Sequence, residues 1–240
     1  NSQIPVLSAL LHTDNLNCTA PFNGTATLDT TTPFVYRGTT ITSPFTGFTL
    51  NWSNGTSGAV NQITALGANT YSVTVTANNN PVTGNNDNCV SAPVFVTVLD
   101  NLTYPAVNVA KIDQSSCNAL TPNGRLTATV GGGTAGHSFQ WFSGVGITAP
   151  ATDITNAGTP NIAANLTSGD YTTRVENTAT RCVSTVTLFV PDNIINPEIA
   201  FTGIQDVTAC IPPNGAATPI VTNASTLPTP NFTIRYVRTF

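Results

Sequence analysis

The chain has 240 residues, 40% of them apolar and only 8% charged, with a net charge of −4 and a single lysine, Lys111. Nucleic acid and anionic membrane surfaces select clustered Lys and Arg, so both are excluded as partners. No run approaches the ~20 apolar residues that a membrane-spanning helix needs.

Helix formers such as Glu, Lys, Gln and Met are scarce, while Thr, Val, Asn, Gly and Pro abound, which favours short strands joined by turns. Taken in chain order, the elements repeat. The chain opens on "IPVL", then Cys18, then the Asn-Gly strand "NGTATL". Asn-Gly tolerates positive φ, so it predicts a tight turn leading into a second strand. An insertion, "TTTPFVYRGTTITSPFTG" at 30–47, precedes "FTLNW" at 48–52, "LGANTY" at 66–71, the alternating "YSVTVTA" at 71–77, Cys89 and "VFVTVLD" at 94–100. Alternation of period two places one face in a core and the other in water.

The phrase "DNLTYPAV" at Asp100–Val107 then introduces a second round: Cys117, "NGRLTATV", "HSFQW" at 137–141, "LTSGDY" at 166–171, Cys182 and "VSTVTLFV" at 183–190. The same phrase returns as "DNIINPEI" at Asp192–Ile199, 92 residues after its first appearance, and a third round brings Cys210, "NGAATPIV" and "FTIRY" at 232–236. A period of that size is a domain, and the phrase is read as a linker in which Asp-Asn ends one domain and Pro fixes the start of the next.

Each round predicts an immunoglobulin-like or fibronectin-III-like β-sandwich of ~100 residues, so the chain is all-β with tandem repeats. The expected boundaries are 1–100, with the insertion at 30–47, then 101–193, and 194–240 as the N-terminal part of a third domain. The third round stops before a tyrosine corner or second cysteine, and the chain carries no signal peptide, so it is expected to be a piece of a longer array. Trp52, Trp141 and Tyr236 are the candidate core aromatics of the third strand, and Tyr71 and Tyr171 the candidate tyrosine corners.

Five cysteines in such a chain point to an oxidising compartment. The simplest disulfides lie within repeats, Cys18 to Cys89 and Cys117 to Cys182, closing loops of 71 and 65 residues and leaving Cys210 without its partner. A sandwich, however, can hold such a pair at opposite ends, beyond the ~7 Å Cα limit for a bridge, and a staggered bridge such as Cys18 to Cys182 is the alternative.

Signals for catalysis are absent. His12 and His137 stand apart from any nucleophile, the "GGG" at 131–133 opens no helix, no Gly-x-Ser-x-Gly occurs and the acidic residues are scattered singly. No cofactor is expected. Calcium has one possible footing at the domain junctions, where Asp100 and Asp192 recur with Glu198 nearby, and "NNDN" at 85–88 offers oxygen ligands; the other reading is Asx turns that begin the linker.

The order Cys, Asn-Gly, alternating strand, Gly-rich loop, aromatic-x-x-x-Trp, Leu-x-x-Gly-x-Tyr, alternating strand and Cys resembles the SprB-type repeat of Bacteroidota, over all three rounds. The resemblance implies a large surface adhesin of gliding bacteria, secreted through the type IX system. "DTT" at 29–31 also resembles the Asp-Ser/Thr-x acceptor for O-glycans in that phylum. The leading expectation is a non-enzymatic, extracellular or cell-surface stalk or filament for adhesion and gliding motility. Its partners would be further repeats, neighbouring chains or a surface polysaccharide. Two alternatives stand beside it: a glycan- or protein-binding module using the insertion as a contact loop, with Phe34, Tyr36, Phe45 and Phe48, or accessory sandwich domains of a secreted polysaccharide-degrading enzyme.

Overall fold

The structure is a computed structural model that describes residues 4–78, 88–148, 152–222 and 233–235. Among the described residues there are strands and turns and no α-helix, and hence no helix long and apolar enough to cross a membrane. The protein is all-β, built from small antiparallel sheets.

The first part of the chain forms β1 (Val6–Leu7), β2 (Leu10–Thr13), β3 (Gly24–Leu28), β4 (Phe34–Tyr36), β5 (Thr39–Ile41), β6 (Phe48–Trp52), β7 (Ser57–Gly58), β8 (Gln62–Leu66), β9 (Asn69–Ala77), β10 (Cys89–Val90) and β11 (Val94–Val98). One sheet has the order β2-β3-β8, and a second runs β10-β9-β6-β7 with β11 also paired to β9. Alternate residues of β3, β6, β9 and β11 are buried, and those residues meet in one core of Ala26, Leu28, Leu50, Trp52, Val73, Val75, Ala77, Val96 and Val98. Period-two patterning in Thr- and Val-rich strands thus becomes two sheet faces closing on each other.

The second part forms β12 (Val107–Ile112), β13 (Gly124–Val130), β14 (His137–Ser143), β15 (Thr152–Asp153), β16 (Ile162–Leu166), β17 (Gly169–Asn177) and β18 (Val183–Val190). The strand order β12-β13-β16 matches β2-β3-β8, and a four-stranded sheet runs β15-β14-β17-β18. Leu126, Ala128, Phe139, Trp141, Val175 and Val190 are buried here. The last part is a hairpin of β19 (Glu198–Gln205) and β20 (Ala216–Thr222), with every residue of β19 exposed.

By compactness the chain divides into one unit of Asn1–Ala106, Gly133–Ser138 and Val175–Ser184, and another of Val107–Gly132, Phe139–Arg174 and Thr185–Phe240.

The insertion at 30–47 is a structural element. Its strands β4 and β5 join β1 in a separate sheet of order β1-β4-β5. The expected contact loop is corrected here: Phe34, Tyr36, Phe45 and Phe48 are 0%, 3%, 2% and 5% exposed and belong to the core. Phe34 stacks edge-on to Phe48 at 5.1 Å and Tyr36 edge-on to Phe48 at 5.3 Å, with Phe34 and Phe45 at 5.7 Å. The reason is that an extra sheet must bury its own apolar face, and these rings supply the area.

Candidate functional site

The chemistry of the chain gathers around its cysteine-bearing loops. Cys18 is bonded to Cys182, with Cα atoms 4.9 Å apart and a sequence separation of 164. This corrects the within-repeat pairing: Cys89 is not the partner of Cys18, nor Cys117 of Cys182, and Cys117 and Cys210 are exposed thiols. Cys18 lies in the loop after β2 and Cys182 just ahead of β18, so the bond runs from the first cysteine of one sequence round to the second cysteine of the next. The Cys18 N–H also donates to the Thr180 carbonyl at 2.9 Å, which seats the loop beside the turn that carries Cys182. Arg181 enters that turn with φ 60°, and Asn88, just before Cys89, has φ 48°, so both second cysteines follow a left-handed residue. A disulfide that persists indicates a non-reducing compartment.

Why the cysteine loop holds its shape is visible in a buried amide. Asn15, fully buried, donates from Nδ2 to the Asn17 carbonyl at 2.9 Å and to Asp100 Oδ1 at 2.7 Å, while its Oδ1 accepts from the N–H groups of Asn17 and Asn23. Its backbone pairs with the linker: the Asn15 N–H donates to the Leu99 carbonyl and the Asn101 N–H to the Asn15 carbonyl, both at 2.8 Å. Gln114 does the same work in the second round. Its Nε2 donates to the Ser116 carbonyl at 2.8 Å, its Oε1 accepts from Ser116 and Asn123, and its backbone is bracketed by the Pro191 carbonyl and the Asn193 N–H. A buried amide left without partners would be costly; Asn15 uses both its donor hydrogens and its acceptor, and Gln114 donates once and accepts twice. The Asp-Asn linker is therefore not a loose end: parallel bridges Asn15 to Asp100 and Gln114 to Asp192 dock it against the start of its own round.

The Asn-Gly pairs act differently from the expected turn. Asn23, Asn123 and Asn214 each accept, through Oδ1, from the backbone N–H two residues before the cysteine, at Leu16 (2.7 Å), Ser115 (2.8 Å) and Thr208 (2.8 Å). The glycines meet a close approach instead of a positive φ. A Cβ on Gly24 would stand 2.6 Å from the Leu66 carbonyl oxygen and 2.7 Å from Val98 Cγ1; on Gly124, 2.6 Å from the Leu166 carbonyl oxygen and 3.0 Å from Val190 Cγ1. The cause is a bulge: the register shifts between Gly24 and Ala26 and again between Gly124 and Leu126, with a left-handed residue on the facing strand in each case, Ala65 (φ 59°) and Asn165 (φ 56°).

The remaining predicted residues fall as follows. Trp52 is buried with its Nε1 donating to the Val60 carbonyl at 2.8 Å, and Trp141 is fully buried. The Tyr71 hydroxyl donates to the Gly67 carbonyl and the Tyr171 hydroxyl to the Thr167 carbonyl, both at 3.1 Å, a backward bond of four residues in each round. Tyr236 lies outside the described residues, as do 85–87 of the "NNDN" loop. His12 faces Asp14 at 3.6 Å and His137 Nδ1 is 2.8 Å from the Ala135 carbonyl.

Among the described residues no group of three or more His, Cys, Asp or Glu comes together. Asp100 brings one carboxylate to its junction and directs it at an amide donor, an arrangement that does not fit a cation taking 6 to 8 oxygens. In "DTT", Asp29 Oδ1 accepts from the Thr31 N–H (2.7 Å) and hydroxyl (2.6 Å). Those hydrogen bonds, the hydroxyl's first, hold its carboxyl below the usual aspartate value, and Thr155 does the same to Asp153. Sequence reasoning missed the buried amides of Asn15 and Gln114. The only signal for them was their shared place three residues before each cysteine, where two different side chains stand.

No family model matches the chain, and no curated protein matches it. Among solved structures, the three N-terminal domains of the bacteriophage RB49 Highly Immunogenic Outer Capsid protein (Hoc) are similar at 16% identity, over 94% of this chain and 71% of that one, with a TM-score of 0.35.

Proposed function

We propose that the chain is a non-enzymatic, load-bearing stretch of an extracellular stalk or filament, a spacer in a bacterial surface adhesin. The domains meet at 100/101 and 193/194, and further repeats adjoin it. One observation carries this reading: the Cys18–Cys182 bond joins successive rounds of the sequence covalently, which independent domains on a flexible tether would not need. The docked linkers at Asn15–Asp100 and Gln114–Asp192 support it, because a linker held by backbone bonds resists extension where a free one would stretch first.

Single-molecule pulling on the ends of the chain tests the reading. The chain between the two cysteines, a sequence separation of 164, would be withheld from extension while the bond is intact. At ~3.3 to 3.6 Å per residue this is roughly 550 Å of contour length. The oxidised chain should therefore extend less than the reduced chain by about that length, and equal extensions in both states would sink the proposal.

A further inference from the structure

We propose that Cys117 is a second covalent junction of the same kind. It takes as partner a cysteine that follows a left-handed residue and opens the last strand of another sandwich copy, as Cys182 does for Cys18. The inference rests on the stalk reading and names its repeating bond.

Three observations carry it. Cys182, the cysteine of its own round, is already bonded to Cys18, so Cys117 has no partner there. Cys117 is exposed, in a loop closed by the same hydrogen bonds as the Cys18 loop: the Asn123 side chain on Ser115 mirrors Asn23 on Leu16, and the Gln114 amide mirrors Asn15. That loop type is seen bonded once, at Cys18, so its geometry is compatible with a bridge when a partner cysteine is presented beside it. Cys210 repeats the place: Asn214 closes its loop from Thr208 and Ala209, and its thiol is exposed. An odd, exposed cysteine in an oxidising compartment is expected to seek a partner outside its own domain.

The reaction is thiol–disulfide exchange with an oxidised small-molecule disulfide such as oxidised glutathione. The Cys117 thiolate attacks one sulfur of that disulfide and expels a thiolate. The thiolate of the incoming cysteine then attacks the Cys117 sulfur of the mixed disulfide and expels the second. Two protein thiols lose two protons and two electrons, and the small disulfide becomes two thiols.

The test is peptide mapping of the native, unreduced protein after alkylation with iodoacetamide. Trypsin should release Ile112–Arg125, which carries Cys117 and no other cysteine. The expected result is that this peptide appears alkylated only after reduction, and before it is linked to a peptide whose cysteine precedes an alternating strand. Native molecular mass under non-reducing conditions then separates a partner on the same polypeptide, with mass unchanged by Cys117→Ala, from one on a second molecule, with the larger species lost in Cys117→Ala. Alkylated Cys117 before reduction, or a link to Cys89 or Cys210 of the same molecule, overturns the proposal. The pulling experiment depends on Cys18–Cys182 alone, so failure here leaves the stalk reading standing.

Discussion

Replacing Gly124 with alanine tests whether the bulged contact, and not backbone freedom, is what the Asn-Gly position demands. Gly124 has no positive φ, so alanine is permitted by the backbone and would by itself stabilise by about 0.4 to 1 kcal/mol through the unfolded chain. Against that stands the new Cβ, 2.6 Å from the Leu166 carbonyl oxygen and 3.0 Å from Val190 Cγ1. The oxygen belongs to a strand paired with β13 and cannot rotate aside as a side chain would. Ordinary contact needs about 3.4 Å, so the two strands must part by several tenths of an ångström, an overpacking cost of about 1 to 3 kcal/mol. The net expectation is a loss of about 1 to 2 kcal/mol, a fall in Tm of roughly 5 to 15 °C for a domain of this size. Gly133→Ala is the control, because no atom lies within 4 Å of its added Cβ and its φ is not positive. Thermal melts by circular dichroism with the disulfide intact compare the three proteins. If Gly124→Ala melts with or above the parent, the close approach is not a constraint and the reasoning fails.

Cys18→Ala paired with Cys182→Ala should destabilise by up to about 5 kcal/mol, the chain-entropy figure for so long a loop, whereas Cys117→Ala should leave the equilibrium midpoint of the 240-residue chain unchanged; urea titrations compare them. Phe34→Ala should cost about 3 to 5 kcal/mol, as a core ring does, and a loss within 0.5 kcal/mol would return the insertion to the status of a surface loop. Tyr71→Phe and Tyr171→Phe should each lose about 0.5 to 1.5 kcal/mol, one hydrogen bond apiece. Thr31→Val should raise the Asp29 pKa toward its ordinary value, read by carboxyl NMR titration. Because the folded pKa is the lower one, the stabilisation by the ionised form is present above the ordinary aspartate range and fades as pH falls through the folded value, and the variant should weaken that dependence without abolishing it, since the backbone N–H groups of residues 31 and 32 still donate.

The strands were legible because their chemistry is local. Alternating Val and Thr in "YSVTVTA" and "VFVTVLD" can bury only one face, and β9 and β11 bury the face so marked. Leu-x-x-x-x-Tyr placed Tyr71 and Tyr171 four residues beyond the carbonyls they bond, a distance set by the chain itself. The Asn-Gly pairs were visible as positions but not as roles. Gly24 and Gly124 answer to carbonyls 42 residues away in sequence, and no local pattern reports a bulge on a facing strand.

The insertion shows the same division. Its aromatics were plain in the sequence, yet whether Phe34 and Phe45 face water or a core depends on β1 arriving beside β4. The cysteines show it most sharply. Composition determined that the chain is all-β, poorly charged and suited to an oxidising compartment, since those properties are sums over residues. Which thiols meet is a matter of a few ångströms between segments 164 residues apart, and only the tertiary structure, by seating Cys18 beside the turn at Thr180, decided it.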